Sequence, residues 1–290
     1  MLERKSEYGI IGNPLGHSLS PLMHNAAFQH LQVEAVYNLF SLEEAELDSF
    51  FKQLRRPSSP IFGFNVTVPY KEKVLSFMDS LAPLAKKIGA VNTVVISPDR
   101  KRTGYNTDAP GFLAHLDELR WMTQNKRIAV LGAGGSARAI VTPLCLLPQR
   151  PKSIRIYNRH EGRLLSLLED LSQRVDIGIV KGVKSVDDLD LKNCDMLINT
   201  TPIGLREDDP LLVEEDLLHP GLWVYDLIYN PKETLLLKMA NQQGARTANG
   251  LGMLYYQGVL AFQHWVNIQL NDKVKKVMRQ ALEKGVLKNE

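Results

Sequence analysis

Three glycines stand at the junction between an apolar stretch and helix-forming sequence, in an order that suits the binding of a dinucleotide. Residues 128–131 form an unbroken apolar run that predicts a buried strand, and Gly132, Gly134 and Gly135 follow it directly. The first glycine permits a tight turn, and the second lets the backbone approach a pyrophosphate at the free N–H groups of the next helix. We therefore predict nucleotide binding here, with a plain tight turn as the alternative.

The residues after the next predicted strand, 153–157, indicate which nucleotide is bound. An NAD site usually has Asp or Glu at this strand end for the ribose 2′-hydroxyl, whereas Arg attracts a 2′-phosphate. Asn158 and Arg159, with Arg163 four residues beyond Arg159, therefore favour NADP. The alternative is a solvated basic start of a helix, and the neighbouring Glu161 keeps NAD possible.

Ser18 and Ser20 lie in a loop whose glycines, prolines and asparagine give it a defined shape. Because they flank Leu19, their hydroxyls would point the same way in an extended segment and could bind both oxygens of a carboxylate. The alternative is helix capping, since Ser at the N-cap followed by Pro, here Pro21, is a common helix start. Taken alone, these residues favour the cap, and His24 is expected on the surface of that helix.

Further polar residues lie at the ends of predicted strands. Asn65 and Thr67 alternate to one face of a strand, and Lys71 follows at the predicted start of a helix. Asn92 begins another predicted strand, and Asp108 follows a further one. Open α/β folds bind ligands at the carboxyl edge of the sheet, where such residues would gather. Taken alone, Lys71 would be a surface lysine and Asp108 the N-cap of a helix.

Composition limits the classes of protein to which the chain can belong. With 290 residues, 44% of them apolar and 23% charged, the chain can bury one large or two ordinary cores as a soluble protein. A net charge of +3 without a basic run argues against nucleic-acid binding. We find no apolar segment long enough to cross a membrane and no signal peptide, so we expect a cytoplasmic protein. Cys145 and Cys194 lie in apolar stretches without metal-type spacing, so we expect reduced core cysteines and no metal site.

The alternation of strands and helices predicts a doubly wound α/β fold. We expect two domains, and residues 120–126 are the predicted crossing between them. The substrate domain would comprise residues 1–120 and 252–290, with a mixed, mostly parallel sheet, and the Rossmann-like NADP domain residues 121–251.

The end of the chain predicts a helix over residues 271–284, with Asn271 as its cap and Gly285 as its stop. One face of this helix is apolar and must pack on something, and we expect the C-terminal helices to pack back on the first domain. Near the start of the chain, Ser41 and Glu44 form an expected capping box for another helix.

Taken together and in order, these stretches resemble the shikimate dehydrogenase family over roughly residues 8–270. They are Gly12-Asn-Pro-x-x-His-Ser-x-Ser-Pro, Asn65-Val-Thr-Val-Pro-Tyr-Lys, Gly89-Ala-Val-Asn-Thr, Asn106-Thr-Asp, Gly132-Ala-Gly-Gly, Asn158-Arg159 and Asn249-Gly-x-x-Met-x-x-x-Gln. The resemblance implies reversible, NADP-dependent reduction of 3-dehydroshikimate to shikimate in aromatic biosynthesis.

The resemblance also implies roles for individual residues. Lys71 and Asp108 would be the catalytic pair, and Ser18 and Ser20 would hold the substrate carboxylate, which reverses the capping interpretation. The other implied substrate contacts are Asn65, Thr67, Lys71, Asn92, Asp108, Tyr229 and Gln257. The implied cofactor contacts are Gly132, Ala133, Gly134, Gly135, Ser136, Ala137, Asn158, Arg159, His160, Arg163 and, near the nicotinamide half, Thr200, Gly250 and Met253.

Two points stay open within this resemblance. Burial of Lys71 would favour its neutral form and the Asp108 carboxylate its charged form, so the sequence leaves open which of the two holds the proton. The family's usual threonine after Asn-Arg is replaced by His160. A protonated His160 could replace the lost hydroxyl contact, and NADP affinity would then rise as the pH falls.

The sequence leaves two rival functions. A catabolic quinate/shikimate dehydrogenase that uses NAD tends to have threonine for the second serine and an acid near Asn158 and Arg159. This chain has Ser20 and no acid at residues 158–160, which favours the biosynthetic enzyme. A non-catalytic ligand sensor on the same fold would be expected to lack Lys71 or Asp108, and both are present. We expect a monomer or a homodimer whose partner is the small-molecule substrate.

Overall fold

The computed structural model describes residues 5–16 and 18–288, and the chain groups into two units by its internal contacts. The first unit extends to Gly111 and resumes at Leu254–Lys288, whereas the second unit is Phe112–Met253. Each unit has its own sheet and its own apolar core.

The predicted functional domains have slightly different limits from these units. Their boundaries, 1–120 with 252–290 and 121–251, remain a prediction, because packing contacts do not test which segment binds which ligand. His17, which belongs to the first sequence motif, lies outside the described residues.

Helices occur along the whole chain between the strands. In order they are α1 (Ser20–His30), α2 (Leu47–Leu54), α3 (Pro83–Ile88), α4 (Asp108–Glu118), α5 (Gly135–Leu146), α6 (Glu161–Ser172), α7 (Leu235–Gln242), α8 (Leu251–Val266) and α9 (Asp272–Lys288).

The first unit contains a mixed sheet. Its strands are β1 (Ser6–Gly12), β2 (Ala35–Ser41), β3 (Ile61–Val66), β4 (Ser80–Leu81), β5 (Thr93–Ile96) and β6 (Arg102–Tyr105). They are arranged in the order β2-β1-β3-β5-β6-β4, and β5 runs antiparallel to both of its neighbours while the other pairs are parallel. The predicted mixed, mostly parallel sheet is confirmed.

Both faces of this sheet are covered, as the apolar runs of its strands require. Phe64 of β3 packs with Phe50 and Phe51 of α2 in one core. From the C-terminal region, Trp265 of α8 donates a hydrogen bond from Nε1 to the carbonyl of Val94, at 3.0 Å. The C-terminal helices therefore pack on the first unit, as predicted.

Three local predictions in this unit are wrong. Gly285 does not stop α9: a Cβ at this position would lie 2.6 Å from Leu22 Cδ1, so the glycine lets α9 approach α1 closely. The capping box uses Glu43 and Glu46, because Ser41 is still paired in β2. His24 is fully buried, since it stacks on the Tyr37 ring and contacts the tilted ring of Trp265 in the core.

The second unit contains a parallel sheet. Its strands are β7 (Arg127–Leu131), β8 (Ser153–Tyr157), β9 (Val180–Val183), β10 (Met196–Asn199), β11 (Trp223–Asp226) and β12 (Arg246–Ala248). They are arranged in the order β12-β11-β10-β7-β8-β9, which is the doubly wound order of dinucleotide-binding sheets and confirms the predicted Rossmann-like domain. The chain reverses its direction of winding between β7 and β10, and ligands of such sheets bind outside the carboxyl ends of the strands at this point.

Candidate active site

Lys71 and Asp108 form an ion pair in the first unit, with 2.7 Å between Lys71 Nζ and Asp108 Oδ2. Their side chains are 12% and 8% exposed, so both charges are largely removed from water. Lys71 lies in the turn after β3, where the N–H of Val91 donates to its carbonyl at 2.8 Å. A buried ion pair is costly unless hydrogen bonds satisfy its remaining groups, and Asp108 has such a bond from Asn92.

Asp108 is the first residue of α4, but it does not serve as the cap of that helix. Asn106 takes this role, because its Oδ1 accepts from the N–H of Ala109 at 3.1 Å. The Asp108 carboxylate instead lies at the positive end of the helix dipole, which stabilises an anion. Its oxygens face Lys71 and Asn92, so the capping alternative for Asp108 is wrong.

Asn92 connects two other predicted residues, Asp108 and Gln257, in one buried network. Its Nδ2 lies 2.9 Å from Asp108 Oδ1, 2.9 Å from Thr107 Oγ1 and 3.2 Å from Gln257 Oε1, and its two hydrogens are shared among these three acceptors. Its Oδ1 accepts from the N–H of Thr107 at 2.7 Å. Gln257 reaches this network from α8, although it is far away in sequence.

The side-chain amide of Asn65 forms its hydrogen bonds with other groups of the protein. Its Oδ1 accepts from the Tyr37 hydroxyl at 2.7 Å, and its Nδ2 donates to Thr93 Oγ1 at 3.0 Å and to the carbonyl of Asn92 at 3.1 Å. These bonds brace β3 against β5 and fix the backbone of Asn92. Tyr37 and Thr93 were missed in the sequence, where Thr93 was visible only as the neighbour of Asn92.

The two serines lie at the start of α1. The helix begins at Ser20, and its N-cap Leu19 provides no side-chain hydrogen bond, so the interpretation of Ser20 as an N-cap is wrong. Ser18 Oγ accepts from the N–H of Ser20 at 3.4 Å. Because the first turn of α1 contains no acidic residue, its dipole is available to an anion. Thr67 is half-buried next to Gly12, beyond the carboxyl ends of the paired strands β1 and β3.

The glycine loop of the second unit has the geometry that a pyrophosphate requires. Gly132 has φ +106°, and a Cβ there would lie 2.5 Å from Thr200 Oγ1, so only glycine fits. Gly134 is the N-cap of α5 and has no side chain that could accept from the first N–H groups of this helix. Nothing lies within 4 Å of the position that a Cβ would occupy there. The free N–H groups of the first turn, from Gly135 to Ala137, thus open onto space that an anionic group can enter.

Some of the predicted cofactor contacts are buried in the second unit. Ala133 and Ala137 belong to its apolar core, as does Met253. Thr200 Oγ1 donates to the carbonyl of Leu131 at 2.7 Å, which ties the end of β10 to the end of β7. The remaining prediction in this loop, Ser136, is half-buried.

The predicted 2′-phosphate residues follow β8. Asn158 Nδ2 donates to the carbonyl of His160 at 2.8 Å, which shapes the turn into α6. Arg159, His160 and Arg163 are exposed. Two guanidinium groups and an imidazole at the first turn of one helix form a surface that can bind a phosphate.

Tyr229 and Gly250 lie beyond the end of β11. Tyr229 is half-buried, and the N–H of Gly250 donates to the carbonyl of Ile228 at 3.0 Å. Asn249 caps α8, because its Oδ1 accepts from the N–H of Leu251 at 3.1 Å.

Asp226, at the carboxyl end of β11, is a buried acid that was not predicted from the sequence. It has no exposed surface, and burial raises the pKa of its carboxyl to about 6, although hydrogen bonds from Thr234, the N–H of Ile228 and Asn199 act in the opposite direction. The signal in the sequence was an acid that closes an otherwise apolar strand.

Two further findings concern the chain as described from residue 5 to residue 288 without residue 17. This part contains no group of His, Cys, Asp or Glu side chains that could hold a metal ion. None of its helices combines the length and the apolar character that are needed to cross a bilayer.

Two family models match the chain. The model of the shikimate dehydrogenase substrate binding domain matches residues 10–94. The model of the shikimate 5'-dehydrogenase C-terminal domain matches residues 250–283.

Known relatives match over nearly the whole length. A shikimate dehydrogenase (NADP(+)) from Bacillus mycoides strain KBAB4 is 41% identical over 283 residues, which cover 96% of this chain and 99% of the relative. The crystal structure of shikimate dehydrogenase from Aquifex aeolicus has a TM-score of 0.85 at 34% identity and covers 97% of this chain and 99% of its own. A Thermus thermophilus enzyme in complex with NADP(H) and shikimate has a TM-score of 0.81 at 31% identity, with the same coverage of both chains.

Proposed function

The chain belongs to the shikimate dehydrogenase family, and from this premise we propose that Lys71 and Asp108 move the proton in the NADP-dependent interconversion of 3-dehydroshikimate and shikimate. The observation that carries the proposal is the buried ion pair between the two side chains. Asn92 donates a hydrogen bond to Asp108 and so holds the pair in place. The protein is an oxidoreductase of a ring CH–OH group.

The substrate residues that we propose match the polar groups of shikimate. Ser18, Ser20 and the start of α1 suit the carboxylate, because a helix N-terminus without an acidic residue in its first turn favours an anion. Thr67, Asn92 and Gln257 offer hydroxyl and amide groups to the ring hydroxyls. Asn65 and Tyr229 are supporting members of this set, which is completed by Lys71 and Asp108.

NADP fits the second unit. The loop from Gly132 to Gly135 supplies the free N–H groups and the open space that suit a pyrophosphate. Exposed Arg159 and Arg163 suit a 2′-phosphate, and no acid replaces Asn158 at the end of β8. The proposed cofactor contacts also include Ser136, Ala137, His160, Thr200, Gly250 and Met253.

The chemical step requires a proton donor beside the carbonyl oxygen. Bound NADPH supplies the hydride that reduces the carbonyl carbon. An ammonium has three N–H groups, so Lys71 can donate to Asp108 and still donate to the oxygen on which negative charge develops. The pair delivers one proton to this oxygen during reduction and accepts it in the reverse direction.

Asn92 keeps the pair in this arrangement. It donates to the Asp108 oxygen that Lys71 does not contact, so both carboxylate oxygens are fixed. A carboxylate that is held on both oxygens cannot rotate away when Lys71 passes its proton to the substrate. The proton then belongs to the pair, and neither residue needs a fixed role.

Initial rates of NADP and NAD reduction with shikimate and with quinate test the proposed function on one wild-type preparation. Fast turnover only with shikimate and NADP is the expected result. Comparable rates with quinate or with NAD would assign the chain to the catabolic relatives, and no turnover with any pair would favour a ligand sensor.

Location and assembly complete the proposal. We propose that the enzyme works in the cytoplasm, since both cysteines are free and buried, as expected in a reducing compartment. We propose a monomer or a homodimer, which light scattering on the purified protein distinguishes.

A further inference from the structure

We propose that Asp226 and Asn199 are positioning residues for the nicotinamide half of the cofactor, a role that rests on the proposed function. Both side chains are fully buried at the carboxyl ends of neighbouring strands, β11 and β10. Neither was predicted from the sequence as part of the site. They act through the loops that they fix.

The two side chains are the centre of a buried hydrogen-bond network. Asp226 Oδ1 accepts from Asn199 Nδ2 at 3.0 Å and from the N–H of Ile228 at 3.0 Å, and its Oδ2 accepts from Thr234 Oγ1 at 2.7 Å. Asn199 Oδ1 accepts from the N–H of Thr201 at 2.9 Å and from its hydroxyl at 2.7 Å. One network thus fixes the loop after β10 and the loop after β11.

The order of the strands indicates which half of a dinucleotide these loops meet. In a doubly wound sheet the dinucleotide crosses the carboxyl edge at the point where the winding reverses, here between β7 and β10. Arg159 follows β8, on one side of this point, and marks the half that carries the 2′-phosphate. The nicotinamide half must therefore extend to the other side, over the ends of β10 and β11.

The same network reaches the glycine loop and the start of α8. Thr200, which follows Asn199, donates from its N–H and its hydroxyl to the carbonyl of Leu131, immediately before Gly132. Ile228, whose N–H is bound to Asp226, accepts from the N–H of Gly250. Backbone segments that would surround the nicotinamide are therefore connected through two side chains.

The buried carboxylate of Asp226 requires well-formed hydrogen bonds from its neighbours. Its partners within the described part of the chain are an amide, a hydroxyl and a backbone N–H, all neutral, so the buried carboxylate depends on hydrogen bonds. Charge-assisted hydrogen bonds of this kind are short and directional. An amide at this position has the same size, but the Thr234 hydroxyl would have to turn and accept from its NH₂ group, and the negative charge that strengthens the three bonds would be lost.

The test compares Asp226→Asn with the wild-type enzyme in rate and in binding. We expect kcat with shikimate and NADP to fall by at least ~10-fold, since small misplacements of a reacting group cost up to about 100-fold. We expect the affinity for adenosine 2′,5′-bisphosphate, which lacks the nicotinamide half, to change less than about twofold, because its proposed contacts are the residues after β8 and the N–H groups at the start of α5, to which Asp226 is not bonded. The affinity for NADP, measured by calorimetry without substrate, should fall.

Thr234 provides the matched pair of variants. Thr234→Ser keeps the hydroxyl that donates to Asp226 and should retain wild-type kinetics and NADP affinity. Thr234→Val lacks this hydroxyl and should lower kcat and NADP affinity, as Asp226→Asn does. This pair also decides the question if Asp226→Asn does not fold, because Thr234→Val removes one hydroxyl, which donates to Asp226 and accepts from the N–H of Leu237 as the N-cap of α7.

Two results would overturn the inference. One is a loss of thermal stability in Asp226→Asn and Thr234→Val at unchanged kcat and NADP affinity, which is the behaviour of residues with a structural role only. The other is an equal loss of affinity for NADP and for adenosine 2′,5′-bisphosphate. Failure of the proposed function is separate, because the wild-type enzyme itself would then not oxidise shikimate.

Discussion

The candidate substrate site of the first unit and the candidate nucleotide site of the second unit are built from different parts. In the first unit, the side chains of Lys71, Asn92 and Asp108 are buried and hold one another. In the second unit, the main elements are a glycine loop with open space beside it and exposed cations such as Arg159. One site is made of interlocked side chains, and the other of backbone and surface charge.

This difference predicts which kinetic constant each site controls. Side chains that are fixed before the ligand arrives can act on the transition state, so changes there should lower kcat. Exposed cations mainly attract an anion that is not part of the reacting bond, so changes there should raise the KM for the cofactor. Single substitutions in each site can separate the two behaviours.

Replacement of Lys71 by alanine is expected to have the largest effect. Lys71→Ala should lower kcat by at least ~100-fold with little change in the KM for shikimate, because general acid–base groups contribute about this much to the rate. Steady-state kinetics with NADP and shikimate measure both constants. A large rise in KM at normal kcat would make Lys71 a binding residue and remove the distinction between the two sites.

Lys73 provides the control for this variant. It lies two residues further along, is exposed and pairs with Glu44 at the surface. Because surface ion pairs contribute about 0–1 kcal/mol, Lys73→Ala should keep wild-type kinetics.

Arg159→Ala should have the next largest effect, on the cofactor alone. Hydrogen bonds to a charged group contribute about 1.5–3 kcal/mol, so the KM for NADP should rise by about 10-fold to 100-fold. The KM for shikimate and the rate with NAD should stay near their wild-type values, and the effect should weaken at high salt.

The matched control for Arg159 lies at the other end of the same strand. Lys152 is exposed immediately before β8, whereas Arg159 follows the carboxyl end of β8. Lys152→Ala should leave the KM for NADP unchanged. An equal rise in both variants would mean that the general positive charge of this unit, and not a phosphate contact, sets the affinity.

The nucleotide site was the easier one to predict from the sequence. Its signal is local: an apolar strand, three glycines and a helix start follow one another within residues 128–138, and backbone geometry determines the function. The doubly wound fold of this unit was predicted from the alternation of strands and helices.

The substrate site could not be predicted in this way, because its residues come from distant parts of the chain. Lys71, Asp108 and Gln257 each had an ordinary interpretation without function, and only the family resemblance joined them. Tyr37 of β2 and Thr93 of β5 both bond Asn65 of β3, and such support depends on tertiary contacts that no short pattern contains.

The wrong local predictions have the same cause. Gly285 was interpreted as a helix stop because glycine usually is one, but contact with α1 determines its role. His24 was placed on the surface, although it packs among Tyr37 and Trp265. In each case a tertiary contact overrides a local preference.

Buried titratable groups extend the comparison to stability. Burial lowers the pKa of His24 in the first unit to about 3 and raises that of Asp226 in the second unit to about 6. Unfolding lets His24 take up a proton below about pH 6.5, so its contribution to stability is lost as the pH falls. Asp226 binds its proton more readily when folded, so its contribution is lost as the pH rises from about 4 to about 6.

The two contributions therefore oppose each other between about pH 4 and pH 6. Relative to the wild type, the unfolding free energy of His24→Phe should rise by about 1.4 kcal/mol for each pH unit that the pH falls in this range. The unfolding free energy of Asp226→Asn, relative to the wild type, should fall by a similar amount for each pH unit that the pH falls. Urea unfolding at several pH values measures these differences, and parallel curves for all three proteins would show that the groups keep their ordinary pKa values.

The smallest predicted effect concerns His160, at the edge of the nucleotide site. This side chain is exposed beside Arg159 at the start of α6, where a ring N–H can donate to a 2′-phosphate. An exposed contact of this kind contributes about 0.2–1 kcal/mol, so His160→Ala should raise the KM for NADP by no more than about fivefold.

His160→Thr supplies a hydroxyl donor and should keep a KM near the wild-type value, while His30→Ala, at an exposed histidine of α1, should leave the KM unchanged. An equal KM in His160→Ala and in the wild type would show that His160 makes no contact with the cofactor. Because Arg159 is present in each of these variants, a difference between His160→Ala and His160→Thr measures the hydrogen-bond donor at position 160 and not the charge of Arg159.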